Sequence, residues 1–376
     1  MSVYNLKTQL IRTLYVWIYK PLLFRRDPEL AHDSFARMGV FLGKHTMTRA
    51  ITRGLLHVKN SVLRQTVCSI HFQNPVGLSA GFDKDANLVQ ILPSVGFGFV
   101  EIGSITLEPY HGNSGKRLVR LPASKSIIVN YGLKNVGSSA IIQKLSAGQK
   151  SIVPMIISIA KTNCKETVDT EAGIRDYYEC LRRFYEAGIG DMYDINISCP
   201  NAYGGEPFTT PDTLERLLST LDTLAITKPV FVKMPINLSW DSFSSLLGVV
   251  SKHQISGVII GNLNKNKHDP SIKDPIPEGQ GGGLSGTPCF DLSNELISKT
   301  YQLYKDKFVI IGVGGIFSAE DAYEKIKRGA TLVQLITGMI YEGPQVVGEI
   351  NRGLVQLLKK DGFNNISQAV GARYRH

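Results

Sequence analysis

Residues 308–336 read FVIIGVGGIFSAEDAYEKIKRGATLVQLI. A continuous apolar run, Phe308–Val313, ends in Gly314 and Gly315. An amphipathic stretch, Ser318–Arg328, follows, and a second apolar run, Thr331–Ile336, closes the unit. Short unbroken apolar runs suit strands covered on both faces, and their alternation with amphipathic stretches predicts parallel βαβ units. Working toward the N-terminus, the same pattern recurs at Val76–Ala80, Phe99–Gly103, Pro154–Ile159, Met192–Ile197, Val230–Met234 and Gly257–Gly261. Helix-like stretches stand between them at Thr170–Glu186, Thr210–Leu224 and Trp240–His253. Eight such units predict an α/β fold, a (β/α)8 TIM barrel. A doubly wound sheet would use fewer strands and place its glycine loop after the first one. No repeat, low-complexity tract or linker interrupts the series.

The remaining composition narrows the function. With 43% apolar and 20% charged residues among 376, the chain is that of a packed protein, not a disordered one. Cys68, Cys164, Cys180, Cys199 and Cys289 are an odd number with no close pair, which excludes a disulfide scaffold and a C-x-x-C zinc site. The eight histidines show no metal-binding spacing, so no metal is expected. Residues 1–60 hold ten basic and three acidic residues, +7 of the net +10, leaving +3 for the other 316. The same segment carries Leu10, Ile11, Leu14, Trp17, Ile18, Leu22 and Phe24, interrupted by Arg12 and Lys20, so it is too charged to span a bilayer. An interfacial helix with a basic rim is one reading; a helix packed on the main domain with a solvated basic face is the other. A membrane surface is favoured over nucleic acid. The expected division is a helical extension over 1–45 and a barrel over 46–376. Asp27-Pro28-Glu29 marks a helix start, with an acidic cap and proline in the first turn.

In such a barrel the chemistry lies where strands end. Those ends here offer Ser79-Ala80-Gly81-Phe82-Asp83-Lys84, Gly103-Ser104, Asn196 to Asn201, Lys233, Asn262, Gly314-Gly315 and Thr337-Gly338. Glycines after strands seven and eight let backbone N–H groups approach a phosphate. A second glycine cluster, Gly281–Gly286, includes Ser285. Lys84 and Lys233 are strand-end amines suited to a Schiff base, a phosphate contact or charge stabilisation. Cys199, between Ser198 and Pro200, is either a buried structural thiol or a base, with Asn196 and Asn201 placed to orient a small polar substrate.

Six ordered motifs resemble those of dihydroorotate dehydrogenases: Asn74–Lys84 with Gly96–Ser104, Asn196–Asn201, Gly282–Gly286, Ile311–Gly315 and Thr331–Thr337. Leu23-Phe24 and Asp27–His32 further resemble the membrane-associated, quinone-reducing class 2 branch. The resemblance implies FMN at the barrel mouth, its phosphate on Gly314, Gly315 and Thr337. It implies Ser79, Ala80, Gly81, Lys84, Ser104, Asn196, Lys233, Gly261, Ser285, Gly286 and Ile336 around the rest of the cofactor. Dihydroorotate, oxidised to orotate, would contact Lys84, Tyr131, Gly132, Leu133, Asn196, Asn201 and Asn262. Cys199 would take the C5 proton as hydride leaves C6, with Lys84 and Lys233 completing the catalytic set. His32 and Arg120 match positions lining a quinone tunnel. The resemblance also implies a peripheral membrane protein, on the cytoplasmic face of a bacterial cell membrane or on the mitochondrial inner membrane of a eukaryote.

The chain departs from the class 2 pattern at five places. Cys199 replaces the usual serine base, as in the soluble class 1 enzymes. Val129 stands for an asparagine, with Asn130 one residue later, and Ser158 replaces a second asparagine. Leu263 removes a hydroxyl, and Ile336 stands where a quinone-side tyrosine is common. Two alternatives follow: a relative using fumarate, NAD or another small ring, and a flavin-holding membrane-surface protein without turnover.

Overall fold

The computed structural model describes residues 3–375, with side chains from residue 7. Its N-terminal part is helical. Helix α1 (Val3–Leu14) passes through a π-helical turn at Tyr15–Tyr19 into α2 (Lys20–Phe24), followed by α3 (Pro28–Lys44) and α4 (Thr46–Leu56). The start read from Asp27-Pro28 is present: Asp27 Oδ1 accepts from the Glu29 and Leu30 amides at 2.9 and 3.1 Å, and Pro28 opens α3. Small residues let α3 lie close to the rest of the molecule. A Cβ on Gly39 would stand 2.6 Å from Leu88, so only glycine fits there without displacement. Helix α1 is tied down by Arg12, which meets Glu342 at 2.9 Å and Glu349 at 3.0 Å.

A hairpin of β1 (Gln65–Val67) and β2 (Ile70–Phe72) leads into the barrel. Strand β3 (Val76–Leu78) and the short α5 (Leu92–Val95) precede β4 (Phe99–Ile105). Then come β5 (Leu118–Leu121), β6 (Ser126–Val129), α6 (Ser138–Ala147), β7 (Met155–Ile159), α7 (Thr170–Glu186), β8 (Met192–Asn196) and α8 (Pro211–Asp222). The chain continues as β9 (Val230–Met234), α9 (Trp240–Val250), β10 (Gly257–Ile260), β11 (Gly283–Gly286) and α10 (Phe290–Tyr304). It ends with β12 (Val309–Val313), α11 (Ala319–Lys327), β13 (Leu332–Leu335), α12 (Thr337–Glu342) and α13 (Val346–Lys360).

The eight apolar runs all form parallel strands, closing in the order β3-β4-β7-β8-β9-β10-β12-β13. Their floor is apolar: Phe99, Ile156, Met192, Phe231, Ile259, Ile311 and Leu332 fill one layer, and the hairpin's Phe72 sits edge-on to Phe99 at 5.6 Å. Each large side chain buried there contributes roughly 1.5–3 kcal/mol. A second sheet was not foreseen. Strands β5, β6 and β11 pair antiparallel above the barrel, so Gly283–Gly286 is a strand, not the free glycine loop its composition suggests.

Candidate functional site

Side chains alternate along a strand, so two residues beyond the apolar floor the same inward face appears again. There it turns polar. Phe99 is followed by Glu101, Ile156 by Ser158, Met192 by Asp194, Phe231 by Lys233 and Leu332 by Gln334, all buried. Lys233 Nζ lies 3.2 and 3.3 Å from the two Glu101 oxygens and 3.3 Å from Ser79 Oγ. Glu101 in turn accepts from the Ala80 amide at 3.0 Å. The lysine at this strand end is therefore held by a buried carboxylate, which the sequence reading missed. A lone acid in the apolar run of β4, two residues from Phe99, was the available signal.

Above this layer one cavity of about 370 Å³ opens, within the size range of small-molecule sites. It is lined at the barrel mouth by Ala80, Gly81, Lys84, Ser104, Asn196, Cys199, Asn201, Lys233, Asn262, Ser285, Ile336 and Thr337. Tyr131, Gly132, Leu133, Val129 and Leu263 join them, and His32 and Arg120 lie on the same surface. The cavity then runs between the N-terminal helices, past Ala31, Phe35, Met38, Leu42 and Leu56. Most of the expected residues thus face one space.

Five of them sit beside it instead. Ser79 reaches in only through Lys233. Gly261 and Gly286 have φ of 145° and 80°, the latter packed on Thr337. Gly314 and Gly315, at 106° and 70°, lie against Cys289 and Phe290, where a Cβ would stand 2.8 and 2.5 Å from its neighbour. These left-handed conformations favour glycine and turn backbone N–H groups out of the ladder. Thr337 Oγ1 donates to Ser285 Oγ at 2.9 Å, joining β11 to the start of α12.

Electrostatics differ across the site. Burial pushes Lys84 down to about 8, and its Nζ stands 4.1 Å above the Tyr131 ring. Burial pushes the Cys199 thiol up to about 11, against the Asn201 backbone N–H and the Lys161 and Lys233 ammonium groups, which pull it down. His32, edge-on to Phe82, is driven down to about 3 by burial and by Lys84 and Lys134, so it is neutral. Arg120 packs over Phe24 at 4.7 Å and donates to the Arg26 carbonyl at 2.8 Å. Asn130 does not take Val129's place in the cavity; its side chain accepts from Asn113 at 3.1 Å. Asn113 also donates to the Asn201 carbonyl at 3.0 Å, fixing the Cys199 loop, and nothing in the sequence pattern pointed to it.

The family model of dihydroorotate dehydrogenase matches residues 62–358. The chain belongs to the dihydroorotate dehydrogenase family. It is 34% identical over 377 residues to a protein named dihydroorotate dehydrogenase (quinone) from Trichodesmium erythraeum, covering 95% of this chain and 98% of that one. It is 36% identical over 371 residues to one of the same name from Deinococcus radiodurans, covering 94% and 98%. The crystal structure of DHODH from Eimeria tenella in complex with ferulenol superposes with a TM-score of 0.81 at 27% identity, covering 93% of this chain and 96% of that one. The dihydroorotate dehydrogenase match spans the barrel and begins just after α4.

Proposed function

We propose that the protein oxidises dihydroorotate to orotate in pyrimidine synthesis, with FMN at the barrel mouth and a quinone as the electron acceptor. The observation that carries this reading is one continuous cavity, polar where the strands end and mostly apolar between the N-terminal helices. The residues suit FMN. The Tyr131 hydroxyl, on the cavity wall, is buried with no hydrogen-bond partner among the described residues, and the Gly314-Gly315 turn offers backbone N–H groups. Gly314, Gly315 and Thr337 would hold the phosphate, and Ser79, Ala80, Gly81, Ser104, Gly261, Ser285, Gly286 and Ile336 would surround the remainder. When bound, FMN supplies the two-electron acceptor that links hydride removal to quinone reduction.

The protein's own groups do the rest. Lys84 binds the substrate carboxylate while protonated, with the Tyr131–Leu133 backbone behind it. Asn196, Asn201 and Asn262 present amides to the substrate ring. Cys199 Sγ accepts the C5 proton, aided by the positive charges of Lys161 and Lys233. Lys233, steadied by Glu101, supplies positive charge where negative charge develops. On the acceptor side, Arg120 and neutral His32 give a largely apolar channel polar groups.

Among the described residues no helix is long and apolar enough to cross a membrane. Leu10, Trp17, Ile18, Leu22, Phe41 and Ile51 are all at least half exposed on the N-terminal helices, which supports docking on a lipid surface, the source of the quinone. The test is orotate formation with a short-chain quinone, fumarate or NAD offered separately. Turnover with quinone alone is expected; turnover with fumarate or NAD alone would overturn the acceptor assignment.

A further inference from the structure

Beneath the mouth, Asp194 is fully buried and does not line the cavity. It stands directly beside Ser158 on the neighbouring strand, in register. The Ser158 hydroxyl donates to Asp194 Oδ2 at 2.7 Å. That commits the only proton of Ser158, so the 2.8 Å contact between Ser104 and Ser158 must be donated by Ser104. Asn196 Nδ2 donates to Ser104 at 2.7 Å, Ser198 donates to Asn196 Oδ1 at 3.1 Å, and Asn262 Nδ2 donates to Ser198 at 2.7 Å. Five hydrogen bonds therefore run one way, from Asn262 at the cavity to Asp194 in the core. Each hydroxyl on the way accepts once and donates once.

The far end of the chain is equally informative. Asp194 Oδ1 is buried with no hydrogen-bond partner among the described residues. The charged groups facing Asp194 are the Glu101 carboxylate and the Lys233 ammonium, and Lys233 is already paired with Glu101. Two ionised carboxylates beside one lysine would leave a net buried negative charge, which a dry interior strongly disfavours. A proton shared between the carboxyls gives the orphaned oxygen its partner and leaves the layer neutral. Burial, then the Glu101 charge, raises Asp194 well above the usual carboxylate range, in the same sense.

We propose that Asp194 is a positioning residue, a neutral acid that ends a one-way hydrogen-bond chain and so, together with the Ser198 and Leu263 backbone N–H groups that donate to Asn196 Oδ1 and Asn262 Oδ1, fixes the amide orientation of Asn196 and Asn262 toward the substrate. The inference rests on the dihydroorotate reading of the site. Its reach is remote: Asp194 acts through Ser158, Ser104 and Ser198, with no contact to the ligand.

The test uses the full-length, FMN-loaded protein, with orotate affinity from calorimetry and the flavin potential from dye-equilibrated reductive titration. Asp194→Asn keeps the same polarity, its carbonyl accepting from Ser158 and its amide donating to Glu101. It is expected to hold orotate within about twofold of the parent, whereas Asp194→Ala should weaken orotate about tenfold, the weight of one hydrogen bond. Asp194→Asn should also leave the equilibrium constant for flavin reduction within about tenfold, about 30 mV for a two-electron couple. Ser158→Ala cuts the chain at the same link with less disturbance, and should weaken orotate as much should the alanine variant at 194 not fold. Unchanged orotate affinity in Ser158→Ala would overturn the orienting role. A rise in potential beyond that limit in Asp194→Asn would mean an ionised Asp194 and overturn its neutrality. An unsubstituted protein that is yellow yet binds no orotate would instead overturn the reading of the site, and the inference with it.

Discussion

At the barrel mouth Lys233 is held by Glu101 and Ser79, Asn196 by Ser104 and Ser198, and Asn201 by the Val129 carbonyl. At the helical end of the same cavity the wall is mostly apolar, with Ala31, Phe35, Met38, Leu42 and Leu56, and His32, Arg120 and Thr52 among its polar residues. The first half is built from strand ends, whose positions the closed barrel fixes. The second is built from short helices that lie on it through close glycine contacts and surface ion pairs. Chemistry on a small polar ring needs donors fixed to fractions of an ångström, whereas an apolar acceptor needs contact area. Substitutions at the two ends should therefore differ in kind.

The largest expected effect is at Cys199. Cys199→Ala should slow flavin bleaching by dihydroorotate by about 10²–10⁴-fold, the usual weight of a general base, with the yellow colour retained. The pH dependence sharpens the point. With Cys199 as the proposed base and Lys84 as the proposed carboxylate partner, the reaction would need the thiol deprotonated, with a value of about 11, and the amine protonated, with a value of about 8. Below pH 8 only the thiol limits, so the second-order rate constant for bleaching should rise about tenfold per unit. Above about 8 the loss of the Lys84 charge offsets that gain, and the profile should flatten; a rise continuing unbroken to pH 10 would remove Lys84 from substrate binding.

Lys233→Met comes next. It leaves Glu101 buried without its cation and should cost about 3–5 kcal/mol in denaturant unfolding, since both partners are almost wholly enclosed. At the helical end, Ala31→Trp should narrow the channel and lower quinone turnover by about tenfold, toward the lower end of the roughly 1–3 kcal/mol that overfilling a packed site costs. Flavin bleaching by dihydroorotate should be unaffected; a matching loss in both half-reactions would mean that the cavity does not divide as described. The smallest effect belongs to Arg12→Ala. Its side chain is half exposed, so its pairs with Glu342 and Glu349 should contribute less than about 1 kcal/mol, read as a small change in melting temperature.

The two ends also differed in how far the sequence revealed them. Strands and helices of the barrel follow from local periodicity, and the stretch Thr170–Glu186 forms a helix with those very ends. Lys233, Lys84 and Cys199 stand out in the sequence because each lies at or just past the end of an apolar run. The β5-β6-β11 sheet was not, because β6 pairs with a strand about 150 residues away, and no local pattern encodes that partnership. Glu101 and Asp194 were hidden for a related reason. Each is one acid inside an apolar run, and only the closed barrel brings both to the layer of Lys233.

The most direct test is an anaerobic stopped-flow trace of the full-length protein's flavin absorbance on mixing with dihydroorotate. The account predicts bleaching on the timescale of turnover, reversed by added quinone. A flavin that stays oxidised in the presence of dihydroorotate would contradict it.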